Sequence, residues 1–115
     1  MITSITVTNN FIKNAKKLIR KYKSLKNELD QLELELKNNP TMGVSIGKNS
    51  YKIRLAVKSK GKGKRGGVRI ITHLEVIVLK TVHVNELYLL AIYDKSQISN
   101  VSDKDILNIF NQIKN

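Results

Sequence analysis

The chain has 115 residues, no cysteine and two histidines, and its 21 Lys and Arg outweigh 9 Asp and Glu to give a formal net charge of +12. This length fits one domain, 1–115, with enough apolar side chains for a single core. Without cysteine there is neither a disulfide framework nor a thiolate metal site, and two histidines alone do not make a zinc site, so no metal and no cofactor are expected. The first residues lack the charged start and long apolar run of a secretory signal, and no stretch reaches membrane-spanning length. A soluble, cytoplasmic protein with no membrane partner is the expectation.

Residues Ile2 to Thr8 alternate β-branched and small side chains and predict an opening strand, after which Asn9 or Asn10 can cap a helix. Phe11, Ala15, Leu18, Ile19 and Tyr22 recur at helical spacing and predict one buried stripe, with Lys13, Lys16, Lys17, Arg20 and Lys21 facing outward. Ser24 is placed to cap a second helix carrying Leu25, Leu29, Leu32 and Leu36, which Asn38-Asn39-Pro40 ends. The leucine stripe spans too few heptads for a coiled coil, so it is read as packing on a sheet.

From Met42 the period changes to two. Tyr51, Ile53, Leu55 and Val57 alternate with Lys52, Arg54, Ala56 and Lys58, so one face of the strand is apolar and the other cationic. A loop rich in glycine and lysine, Ser59 to Gly66, leads to a long strand from about Gly67 to Leu79. A turn near Val84-Asn85 precedes a further strand, Leu87 to Tyr93, completing an antiparallel meander. Ser102 and Asp105 resemble a capping box, and Ile106, Phe110 and Ile113 give a last helix its buried stripe.

The charge is unevenly placed. No acid lies between Glu35 and Glu75, a stretch that holds Lys37, Lys48, Lys52, Arg54, Lys58, Lys60, Lys62, Lys64, Arg65 and Arg69. Solvated faces normally mix both signs, so this stretch is the candidate polyanion-binding surface. Matching buried residues across the central hairpin pairs Val57 with Val68, Leu55 with Ile70 and Ile53 with Thr72. The polar face then sets Lys52 opposite His73, Arg54 opposite Ile71 and Ala56 opposite Arg69, gathering cations within reach of one phosphate. Alternation alone leaves open which face Tyr93 and Lys95 share.

Gly61-Lys62-Gly63-Lys64-Arg65-Gly66 matches the dinucleotide-binding fingerprint in letters, but that motif must follow a strand and open a helix, whereas here a strand comes next. A cationic, mobile hairpin loop is the better reading. No glycine-flanked serine, cysteine nucleophile or spaced carboxylate pair supports acyl transfer or glycoside hydrolysis. His73, on the cationic face, is weighed equally as a proton carrier and as a strand residue without chemistry, while His83 lies near a turn.

The order of elements carries a resemblance: a strand, two helices, Tyr51-Lys52-Ile53-Arg54-Leu55, a glycine-bearing loop, Val68-Arg69-Ile70-Ile71, and Leu89-Leu90-Ala91-Ile92-Tyr93-Asp94-Lys95. From about Ile5 to Ile113 the chain resembles the RelE/ParE toxin superfamily. The resemblance implies an α+β fold in which an N-terminal strand and a two-helix hairpin pack on an antiparallel sheet, with a C-terminal helix. It implies the toxin of a bacterial type II toxin–antitoxin pair, with an acidic antitoxin as partner. The RelE branch implies ribosome-dependent endonuclease cleavage of mRNA, and the ParE branch poisoning of DNA gyrase. An RNA-binding protein without catalysis is a third reading.

By position, Lys52 and Arg54 match the basic pair of the RelE-like ribonucleases, Arg69 their strand arginine and Lys95 a later basic residue. Those enzymes often carry a tyrosine after the final strand. Gln97 to Val101 has none, so Tyr93 either substitutes or packs. The chemistry suits these residues, because the 2′-hydroxyl of RNA is its own nucleophile and needs alignment, deprotonation and charge stabilisation. Arg54 and Arg69 suit the phosphorane, Lys52 the general base, and Lys95 or Tyr93 the leaving oxygen. Lys58, Lys60, Lys62, Lys64, Arg65 and His73 then bind the RNA backbone without reading sequence. Few rings lie outside the presumed core, so reliance on the ribosome fits better than base stacking.

Overall fold

The computed structural model describes residues 2–61, 63–96 and 102–114. In chain order the elements are β1 (Ile2–Val7), α1 (Asn9–Lys21), α2 (Leu25–Asn38), β2 (Val44–Gly47), β3 (Ser50–Leu55), a 3-10 turn at Lys58–Lys60, α3 (Gly63–Gly66), β4 (Val68–Leu79), β5 (Val82–Asp94) and α4 (Asp103–Lys114). The five strands form one sheet in the order β1-β5-β4-β3-β2. Strands β2 to β5 make the expected antiparallel meander, but β1 runs parallel to β5, so the sheet is mixed. The architecture is α+β, as expected. The parallel pairing follows from connectivity: α1 and α2 carry the chain back across one face before β2 begins.

The two expected helical stripes are where the sequence puts them. Phe11, Ala15, Leu18, Tyr22, Leu25, Leu32 and Leu36 are buried against Ile53, Val57, Val68, Ile70, Leu87, Leu89 and Ile92. Helix α1 is capped one residue earlier than expected: Thr8, not Asn9 or Asn10, accepts the Phe11 amide at 3.2 Å. Ser24 precedes α2 without capping it through its side chain. Its hydroxyl instead donates to Glu28 at 3.0 Å and accepts the Ser59 amide at 2.9 Å, while Glu28 accepts the Lys58 amide at 2.8 Å. The start of the 3-10 turn is therefore capped by side chains of a helix about thirty residues away in sequence.

Three boundaries differ from the sequence reading. A tight turn at Lys48 and Asn49, both at positive φ (53° and 58°), divides the period-two segment into β2 and β3. The turn between β4 and β5 falls at Lys80-Thr81 and not at Val84-Asn85, so β5 starts at Val82. The Ser59–Gly66 connection is built from two short turns, the 3-10 turn and α3, with Gly61 at φ 76° and Gly63 at φ 59°. Ser102 accepts the Asp105 amide at 3.1 Å, as the capping reading expects, whereas the side chains of Ile106, Phe110 and Ile113 lie outside the described residues.

Candidate nucleic-acid interface

The hairpin of β3 and β4 pairs Leu55 with Val68, Ile53 with Ile70, Tyr51 with Thr72, Lys52 with Ile71, Arg54 with Arg69 and Ser50 with His73. This is two residues away from the expected register. A slip of two keeps every side chain on its face, so the polarity of the faces survives and only the neighbours change. Arg54 now sits directly across from Arg69, in place of Ile71, and Lys52 lies beside Ile71, in place of His73.

The face of Tyr93 is decided by a bulge in β5. Ile71 pairs with Ala91 but Thr72 pairs with Leu89, so Leu90 is the extra residue. The alternation inverts there: Leu87 and Leu89 point to the helices, while Leu90, Ala91 and Tyr93 join Ile71 on the other face. Arg69 pairs with Tyr93, which puts Arg54, Arg69 and Tyr93 in one row across three strands. Lys95 follows at the strand end, its amide donating to the Gly67 carbonyl at 3.2 Å.

This face is only partly solvent-facing. Ile71, Leu90, Ala91 and Tyr93 form a second apolar cluster, against which Ile46, Tyr88 and Ile109 of α4 pack. Tyr93 is 7% exposed and packs in that cluster. His73 is 5% exposed. Its Nδ1 lies 3.2 Å from the Ser50 hydroxyl and its Nε2 3.5 Å from Glu75, and its ring is tilted beside Tyr88, so it is turned away from bulk solvent.

Arg69 is also buried, at 4% exposed. Its guanidinium donates to the carbonyls of Lys64 at 2.8 Å, Arg65 at 3.2 Å and Val68 at 3.4 Å. Burial, and then the like charge of Arg54, lowers its pKa from the usual arginine value, but a guanidinium keeps its charge in proteins. Arg69 thus roofs itself with α3 and holds that basic turn in place, in contrast to the exposed phosphate ligand expected from sequence. Gly67 lets the start of β4 press against the end of β3. A Cβ there would lie 2.0 Å from the Leu55 carbonyl oxygen.

Lys60 is likewise turned inward. Its ammonium pairs with the fully buried Asp94 carboxylate and lies 5.6 Å from the centroid of the Tyr22 ring. Tyr22 donates its hydroxyl to Asp94 at 2.5 Å, and the Ser96 amide and hydroxyl donate to the same carboxylate at 2.9 and 2.8 Å. Burial pushes the Asp94 carboxyl up, but the Lys60, Tyr22 and Ser96 donors outweigh it and hold the group well below the usual carboxylate range. Sequence reading missed this anchor, because Asp94 was legible only as part of a strand-end motif.

What remains exposed is Arg54, Lys58, Lys64 and Arg65, with Lys52 half-buried beside them and Lys48 at the β2–β3 turn. Lys62 lies outside the described residues. A groove of about 320 Å³ between α2 and the edge of β3 is lined by Glu28 and Glu35 on one side and Arg54, Lys58 and Lys64 on the other. The acids make its helix wall unsuited to a phosphate, so anion contact is favoured on the sheet side, where Arg54 and the α3 cations stand. Among the described residues there is no cluster of His, Cys, Asp or Glu that could hold a metal ion, and no helix is long and apolar enough to cross a membrane. No family model, curated protein or solved structure matches this chain.

Proposed function

We propose that this chain is a RelE-like toxin of a bacterial type II toxin–antitoxin system, an endoribonuclease that cleaves mRNA held by the ribosome. The observation that supports it is the row of Arg54, Arg69 and Tyr93 across three strands, with Lys52 two pairs along on the same face and Lys64 and Arg65 held above by Arg69. In this reading Arg54 contacts the scissile phosphate and stabilises charge gained in the phosphorane. Arg69 is a positioning residue. Lys52 accepts the 2′-hydroxyl proton, the 2′-oxygen bonds to phosphorus, the bond to the 5′-oxygen breaks, and Lys95 returns a proton to that oxygen. The products are a 2′,3′-cyclic phosphate and a 5′-hydroxyl. An acidic antitoxin would cover the same cations.

A second reading, RNA binding without cleavage, is favoured by the engagement of Arg69 with backbone carbonyls, since that arginine is then committed to structure. Mapping message ends in a translation reaction supplied with purified protein separates the readings. Cuts within ribosome-held codons support the toxin. Retention on ribosomes without cuts supports the binder, and gyrase-linked DNA breaks would show the ParE-like activity instead.

A further inference from the structure

The β4–β5 hairpin reaches beyond the rest of the sheet. Strand β3 stops pairing with β4 at His73, where Ser50 is the last partner, and β1 stops on β5 at Val84. Past that point Val76, Ile77, Val78, Leu79 and Val82 are 53%, 41%, 66%, 56% and 46% exposed, so the arm is aliphatic on both faces. Its edge is also open. The Leu74 amide donates to the Asn49 carbonyl at 2.9 Å, and because alternate residues of a strand point their backbone groups the same way, Val76 and Val78 present theirs along the same side, where no described strand pairs with them.

We propose that this arm is a self-association surface, in which β4 pairs antiparallel with β4 of a second copy about a two-fold axis at Ile77. The parity of the open edge is met in that register. Val76 of each copy exchanges hydrogen bonds with Val78 of the other, and Ile77 faces its own counterpart, so the contact is self-complementary. Charge favours the same occupant. The chain carries +12 overall, yet from Leu74 to Glu86 the only formal charges are Glu75, Lys80 and Glu86, so this is where two copies can meet with little repulsion. For the same reason the arm is a poor site for nucleic acid. A lipid surface would accept the aliphatic side chains but leave the strand edge without hydrogen-bond partners.

The chain has no cysteine, which makes a single introduced thiol a clean probe. Facing residues in a non-hydrogen-bonded antiparallel pair have Cα atoms about 4.5 Å apart, within disulfide reach. Under mild oxidation I77C should form a disulfide-linked dimer much faster than a control at the exposed Leu34, L34C. Sedimentation equilibrium of the parent chain should show a concentration-dependent rise toward about 26 kDa, twice 13.1 kDa. V78K should raise the dissociation constant by on the order of 100-fold, since the symmetry counts each lost contact twice. A parent chain that stays monomeric, with I77C no faster than L34C, would overturn the proposal. So would a chain that is monomeric in solution but sediments with neutral phospholipid vesicles, or one that dimerises with V78K unaffected.

Discussion

Arg54 and Arg69 face each other directly across β3 and β4, yet the first is exposed and the second is 4% exposed. Two like charges in one cross-strand pair are unfavourable unless one is compensated. The carbonyls of Lys64 and Arg65 supply that compensation, so Arg69 is tied to α3 while Arg54 stays open to a phosphate. Arg69 holds the basic turn, and in the proposed function Arg54 meets the ligand.

This division has a direct consequence for stability. R69A should destabilise the fold by about 2–3 kcal/mol, because it removes charge-assisted hydrogen bonds and leaves carbonyls without donors. R54A should change stability by no more than about 0.5 kcal/mol, as expected of an exposed site. Urea denaturation of both variants checks the contrast.

Asp94 makes stability depend on acid. Its folded pKa is depressed, so the unfolded carboxyl takes up a proton first as pH falls and proton uptake favours unfolding. Its contribution should be complete above the ordinary aspartate value of about 3.9 and drain away as pH drops from there toward the lower folded value. D94N should lose about 3 kcal/mol near neutrality, where it strands the buried Lys60 ammonium, and should show a flatter acid limb. Tyr22 gives the opposite arm. Its hydrogen bond to Asp94, then burial, then the nearby carboxylate charge raise its pKa, so its contribution is present below about pH 10 and lost as pH rises through the folded value. Thermal melts across pH on the parent, D94N and Y22F report both limbs.

Thr72 is fully buried on the helix-facing side of β4, and among the described residues its hydroxyl has no hydrogen-bond partner. T72V keeps the shape and removes the desolvated hydroxyl, so it should stabilise by about 1 kcal/mol. A rise in Tm by calorimetry checks it, and an unchanged or lower Tm would show that the hydroxyl is satisfied.

The exposed cations Lys58, Lys64 and Arg65 should set the salt dependence of RNA binding. Replacing all of them with alanine should flatten the slope of log affinity against log salt by about 2, at about 0.7 per single-strand phosphate contact. Fluorescence anisotropy with a labelled single-stranded RNA, titrated at several salt concentrations, measures it.

The helical stripes were legible because Phe11, Leu18, Leu32 and Leu36 repeat at a period that only one face satisfies. The polarity of β3 was legible for a similar reason. Register was not, since alternation fixes parity and is blind to a slip of two, which is the difference between Arg54 facing Ile71 and facing Arg69. The bulge at Leu90 was hidden in Leu89-Leu90-Ala91-Ile92, where every residue is apolar and no break in pattern marks the extra one. The turn at Lys80-Thr81 carries none of the usual glycine, proline or asparagine signals, whereas Val84-Asn85 carries one and lies inside β5. Arg69 and Lys60 looked exposed because charge was read as a mark of the surface. The burial of Lys60 depends on Asp94, distant in sequence, and that of Arg69 on the Lys64 and Arg65 carbonyls of a short turn whose shape local pattern does not encode.

In the proposed reaction Arg54 stabilises a phosphoryl transition state on ribosome-held message. The most direct measurement is the single-turnover rate of message cleavage on programmed ribosomes by the parent chain and by R54A, with melting curves confirming that both are folded. Specific cutting by the parent that leaves 2′,3′-cyclic phosphate ends is expected, with a fall of about 100-fold or more in R54A, the usual loss when a transition-state donor is removed. Equal rates in the two proteins, or no cutting by the folded parent, would contradict it.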